Sequence, residues 1–94
     1  MTTERAKKAF QYSVTVTNAS TEIVSASLAG RDVSIYNNDA TGIIYLNLSD
    51  TAVADGTNIK LDPEEMTSIS NFTNAVNAIG SIASNANVVV AELR

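Results

Sequence analysis

The only side chains in this 94-residue chain equipped for acid–base chemistry at neutral pH are carboxylates. Asp62, Glu64 and Glu65 stand closest together, and paired carboxylates are the groups that run glycoside hydrolysis and related reactions. Three of them flanking Pro63 read instead as a solvated acidic patch at a turn. The chain has no His and no Cys. That removes the commonest general base and metal ligand, the thiol nucleophile and any disulfide. Its Ser and Thr hydroxyls have no visible base to activate them. Asp50 and Asp55 lie in a loop with Gly56, but a calcium loop of the EF-hand type needs ligands at alternate positions and a distal Glu, and this spacing lacks them. Tyr12, Tyr36 and Tyr45, with two Phe, are the rings that could stack on a sugar. Most of them fall in alternating segments, where core or interface packing explains them. The expectation is a chain with no catalytic residue, no metal and no cofactor.

The elements around those residues are bounded by composition. Ninety-four residues form one domain, and a domain this small buries only roughly 60% of its unfolded surface, so oligomerisation would help it. Only 17% of residues are charged, below the roughly 25% of ordinary soluble domains. The net charge of −4 argues against a nucleic-acid partner. Residues 1–10 carry Glu4 against Arg5, Lys7 and Lys8, a local +2, so the remaining 84 carry −6. This divides the chain into a basic arm, 1–10, and a single acidic body, 11–94. No apolar segment follows the arm as in a secretory signal, and none is long enough to cross a membrane. Synthesis in a cytoplasm is expected, and the sequons at Asn18, Asn47 and Asn71 are read as chance.

Along the body, short apolar segments alternate with Asn, Asp, Gly, Ser and Thr clusters, which predicts strands and turns. Tyr12, Val14 and Val16 alternate with polar residues. Val24, Ala26 and Leu28 follow a turn at Asn18–Thr21, so a hairpin from Tyr12 to Leu28 is expected. Val33 and Ile35 give a third strand, and Asn37–Gly42 a turn. In the fourth segment, Gly42–Leu48, Ile44, Leu46 and Leu48 make one face. Ile43 and Tyr45 make the other, which marks a central strand or an interface. Asn58–Leu61 reads as a short strand. Pro63–Ala83 is ambiguous. Asp62-Pro63-Glu64-Glu65 resembles a helix start, and Ile69, Phe72, Val76, Ile79 and Ala83 follow at helical spacing. The intervening Thr, Ser and Asn are poor helix formers and fit a turn and two strands equally well. Val88–Leu93, rich in Val, predicts a central strand.

The order of these features resembles a group of small virion structural proteins of tailed bacteriophages. Their pattern is a basic residue opening a strand, an Asn-rich turn, "iyL", a loop ending in Gly, "I.L.PGE", a Phe/Tyr-Thr-Gly segment, "aIyAI", and a Val-rich strand ending near Glu. Here it is carried by Arg31, Asn37-Asn38, Ile44-Tyr45-Leu46, Gly56, Ile59, Leu61, Pro63, Glu65, Phe72-Thr73, Ala75–Ile79 and Val88–Glu92, across residues 31–93. Glu64 departs from the pattern's Gly, Asn77 from its aromatic, and Asn74 from a frequent Gly. The resemblance implies turn and strands for Pro63–Ile79, within an all-β antiparallel sandwich or jelly-roll-like domain. It implies a homotrimeric decoration (cement) protein that binds the major capsid protein on the outside of a phage head, or alternatively a head- or tail-fibre module that attaches to host carbohydrate. On that footing Arg5, Lys7, Lys8 and Phe10 are the candidate capsid-binding arm. Ile43 and Tyr45 are the candidate subunit contact.

Overall fold

The structure is a computed structural model describing residues 9–81 and 86–93. The alternating segments become eight strands: β1 (Ala9–Val16), β2 (Thr21–Val24), β3 (Arg31–Asn37), β4 (Ile44–Asn47), β5 (Ile59–Leu61), β6 (Met66–Phe72), β7 (Val76–Gly80) and β8 (Ala86–Leu93). No helix occurs among the described residues. The ambiguous stretch is a turn followed by β6 and β7. At its start the Glu65 N–H donates to the Asp62 carbonyl oxygen at 3.1 Å. Pro63 occupies the second turn position and Glu64, at φ 61°, the third. That is the pattern of a type II turn, whose third residue is normally Gly. A helix would need Glu64 in the right-handed region, and the chain takes the opposite sign.

The strands pair as a nested set: β1 with β8, β2 with β7, β3 with β6, β4 with β5. Two further ladders, β3–β8 and β4–β7, close them into two four-stranded antiparallel sheets, ordered β1-β8-β3-β6 and β2-β7-β4-β5. This nesting is the jelly roll, a double-sheet sandwich. Val16, Val33, Ile35, Val88 and Val90 from the first sheet meet Ile23, Ile44, Leu46, Leu61 and Val76 from the second, all buried. Each such side chain contributes roughly 1.5–3 kcal/mol by leaving water. β8 is central, as its Val run implied.

Two expectations are corrected. The hairpin from Tyr12 to Leu28 does not form, because β1 and β2 belong to different sheets. The chain has already crossed at Thr17, whose carbonyl oxygen accepts the Gly80 N–H from the opposite sheet at 2.8 Å. The second segment is also shorter than the alternation suggested. β2 ends at Val24 after a register shift, with Ile23 and Val24 both buried. Leu28 lies in the following loop, fully exposed. Likewise Asn37–Gly42 carries the chain between sheets, and among consecutive strands only β4 and β5 pair.

Candidate functional site

At one end of the sandwich a charged network runs through the interior. Arg31 opens β3 on its inward face and Glu92 lies on the inward face of β8, only 2% and 4% exposed. The Arg31 Nε–H donates to Glu92 Oε1 at 3.1 Å. Its Nη1 donates to the Phe72 carbonyl oxygen at 2.6 Å. Nη2 donates to the carbonyl oxygens of Ser25 and Asn74. The guanidinium carbon sits 5.7 Å from the Phe72 ring centre, within cation–π range. The Tyr12 hydroxyl, 2.9 Å from Glu92 Oε2 and 3.2 Å from the Ile23 carbonyl oxygen, donates to one acceptor at a time. One ion pair thus ties β1, β3, β6 and β8 to the ends of the β2–β3 and β6–β7 crossings. Arg31 and Glu92 also bound the stretch that carries the sequence resemblance, and their role here is architectural.

The opposite end is held by a neutral group. Asn37, fully buried, donates from Nδ2 to the carbonyl oxygens of Gly42 at 2.8 Å and Leu61 at 3.1 Å. Its backbone exchanges bonds with Glu64 and Glu65 at 2.9 Å each. Asn37 Oδ1 finds no donor among the described residues.

The outer faces carry the surfaces open to partners. Ile43 and Tyr45 share the outer side of the second sheet, both half-buried. Tyr45 stands opposite Ile79 of β7 and Lys60 of β5. Part of this face is covered by the chain itself. The β4–β5 loop folds back across β7, where Asn77 Nδ2 donates to the Asp50 carbonyl oxygen at 2.7 Å. The loop then reaches the β1–β2 crossing, where Ser20 Oγ accepts the Ala52 N–H at 2.9 Å and Ala52 is buried. The sequence marks Ile79 within the helical stripe and not as part of an outer patch, because its side of the strand depends on rejecting the helical parse. The first sheet has its own outer apolar row. Val89, Tyr36 and Met66 are aligned by register across β8, β3 and β6, and Met66 is 62% exposed. Strand order was needed to see it.

The remaining candidates are dispersed. Arg5, Lys7 and Lys8 lie outside the described residues. Phe10 belongs to β1, opposite Glu92, and is 42% exposed. Asp62, Glu64 and Glu65 are spent on the type II turn, where Glu65 Oε1 accepts the Asp62 N–H and Asp62 faces Lys60 at 3.5 Å. Asp55 closes another turn by accepting from the Thr57 N–H at 2.8 Å and the Thr57 hydroxyl at 2.5 Å. These bonds hold its carboxyl below the usual pKa of 3.8. No three potential metal-binding side chains converge among the described residues. An open recess of about 400 Å³ lies between Ala26–Leu28 and Thr73-Asn74. No aromatic ring lines it, so it lacks the stacking surface of a sugar site.

Fold and surfaces together define a jelly-roll β-sandwich with apolar patches on both outer faces. No family model matches the chain, and no curated protein matches it. Among solved structures it is similar to a chain described under the words "Bacillus endospore appendages form a novel family of disulfide-linked pili". The TM-score is 0.51 and the identity 14%, over 99% of this chain and 93% of that one. At that identity the likeness shows the fold alone.

Proposed function

We propose that this chain is a non-enzymatic structural subunit of a tailed-phage virion, a decoration protein seated as a homotrimer on the outside of the head. The observation that carries the proposal is the Ile43–Tyr45 patch. It places apolar side chains on an outer sheet face that a lone domain leaves partly wet. The resemblance across residues 31–93 supports the virion setting, and the small size of the domain supports oligomeric burial. The basic arm, Arg5, Lys7 and Lys8, would meet acidic groups of the major capsid protein, with Phe10 as the apolar anchor. Exposed ion pairs contribute about 0–1 kcal/mol each, so the grip comes from three arms engaging together. Light scattering should give a trimer mass for the wild type and a monomer mass for Tyr45→Asp, which should also leave purified heads. Removing residues 1–8 should keep the trimer and weaken head binding. A wild-type monomer absent from heads overturns the proposal.

A second reading, a module of a head or tail fibre, is favoured by one observation. The chain shares its fold with a chain from structures described as pili. Its lack of Cys means that any such fibre would hold together without disulfides. Labelled protein found only on tails or fibres would select this reading.

A further inference from the structure

The edges of the two sheets are built differently. In the second sheet, β2 has four residues, a register shift and Glu22. The opposite edge, β5, has three residues, with Lys60 facing Asp62. Short, bulged and charged edges are the devices that stop strands from pairing with other chains. The first sheet lacks most of them. β1 runs eight residues, Ala9–Val16, in continuous register with β8, with no charge and no Pro. β6, at the other edge, is seven residues, also without charge or Pro, in continuous register from Met66 to Ile69 before a bulge near Asn71. Gln11, Ser13, Thr15, Ser68 and Ser70 are exposed along these two strands.

We propose that β1 accepts the β6 edge of a second copy, so that the first sheet continues from one subunit into the next. The proposal rests on the self-association in the reading above and adds to the Ile43–Tyr45 patch a second contact, along the edges of the first sheet. Three features select β6 as the occupant. It is the other unguarded edge of the same sheet. Four alternating strands make β1 and β6 run in opposite directions, so a neighbour joins antiparallel without turning over. Pairing β1 with β6 also uses both edges, whereas β1 pairing with its own copy leaves every β6 edge open. Such a head-to-tail contact closes into a ring or runs on as a filament. A three-membered ring meets the decoration reading, and an open run meets the fibre reading.

The test places charges on the outward positions of each edge and measures mass by light scattering. Gln11→Lys/Ser13→Lys/Thr15→Lys combined with Ser68→Lys/Ser70→Lys should fall to the monomer mass, with circular dichroism and melting temperature showing that the fold is kept. The same β1 lysines combined with Ser68→Glu/Ser70→Glu should restore the oligomer. If the lysine variant folds and keeps its mass, the β1–β6 contact is wrong. Loss without rescue by the glutamates points to β1 pairing with itself and also overturns the proposal. If Tyr45→Asp dissociates the oligomer while the edge lysines do not, the edge contact falls and the proposed function stands. A wild-type monomer at every concentration overturns the edge contact, while its presence or absence on purified heads separately decides the function.

Discussion

The two ends of the sandwich solve one problem with different chemistry. At each, crossing segments leave backbone carbonyl oxygens in the interior, where an unmet acceptor is costly. One end meets them with the Arg31 guanidinium, balanced by Glu92 and Tyr12. The other meets them with the Asn37 amide and adds a turn with Glu64 in left-handed backbone. The charged end is fully partnered but depends on every member. The neutral end keeps one oxygen with no donor among the described residues and one unfavourable φ, each a smaller liability.

The largest expected effect comes from splitting the charged pair. Arg31→Met removes the cation that the buried Glu92 faces and should lower stability by about 3–5 kcal/mol in urea unfolding. Arg31→Met with Glu92→Leu should recover much of that loss. Equal losses in single and double variants would show that packing, not charge, dominates this end. Asn37→Ala should cost less, about 1–3 kcal/mol, from two unmet carbonyl oxygens. A cost above that of Arg31→Met would reverse the ranking of the two ends.

Glu64→Gly should stabilise the fold by about 0.5–1 kcal/mol, since relief of the left-handed backbone outweighs the greater freedom of Gly when unfolded. A loss instead would mean that the Glu64 side chain holds the turn. The smallest effect serves as a control away from both ends. Folded Asp55 releases its proton more readily than an ordinary carboxyl of pKa 3.8. It therefore favours the fold above that value, and the benefit is lost as pH falls through the lowered folded value. Asp55→Asn should lose this small benefit at neutral pH and converge on wild type as the pH falls through the lowered folded value. A difference from wild type that persists unchanged in acid would contradict it.

Much of the strand content was legible because alternation reports which side chains face inward. It does not report which strand lies alongside, so the Tyr12–Leu28 hairpin was drawn where the chain changes sheets. The Arg31–Glu92 pair joins residues 61 apart, beyond any local pattern. Yet a clue was present. Arg31 is in phase with Val33 and Ile35, and Glu92 with Val88 and Val90, so period two placed both charges inside. The helical parse of Pro63–Ala83 arose because 3-4-3-4 spacing also fits apolar residues drawn from two short strands and a crossing. The patch on Ile43 and Tyr45 was visible as an unexpected apolar side of one strand. The loop that folds back across β7 was not, because Asp50 and Ala52 show no pattern that aims them at it.

The nested pairing also sets the order of events at birth. Of the eight strands, β1 is the first to leave the ribosome and its ladder partner β8 the last. Every early strand must wait for a late one, and the central pair β4–β5 is the first that local encounter can form. Loops this long must close before their contacts repay the entropy, which makes such topologies slow to fold. Until Ala86–Leu93 is free of the exit tunnel, β1 and the inner side of β3 lack their neighbour. The nascent chain should therefore remain protease-sensitive until Ala86–Leu93 has cleared the tunnel, and protection of a chain arrested before Ala86 would contradict this. A low-charge, Val-rich polypeptide that completes itself only at its last strand meets its greatest aggregation hazard during synthesis.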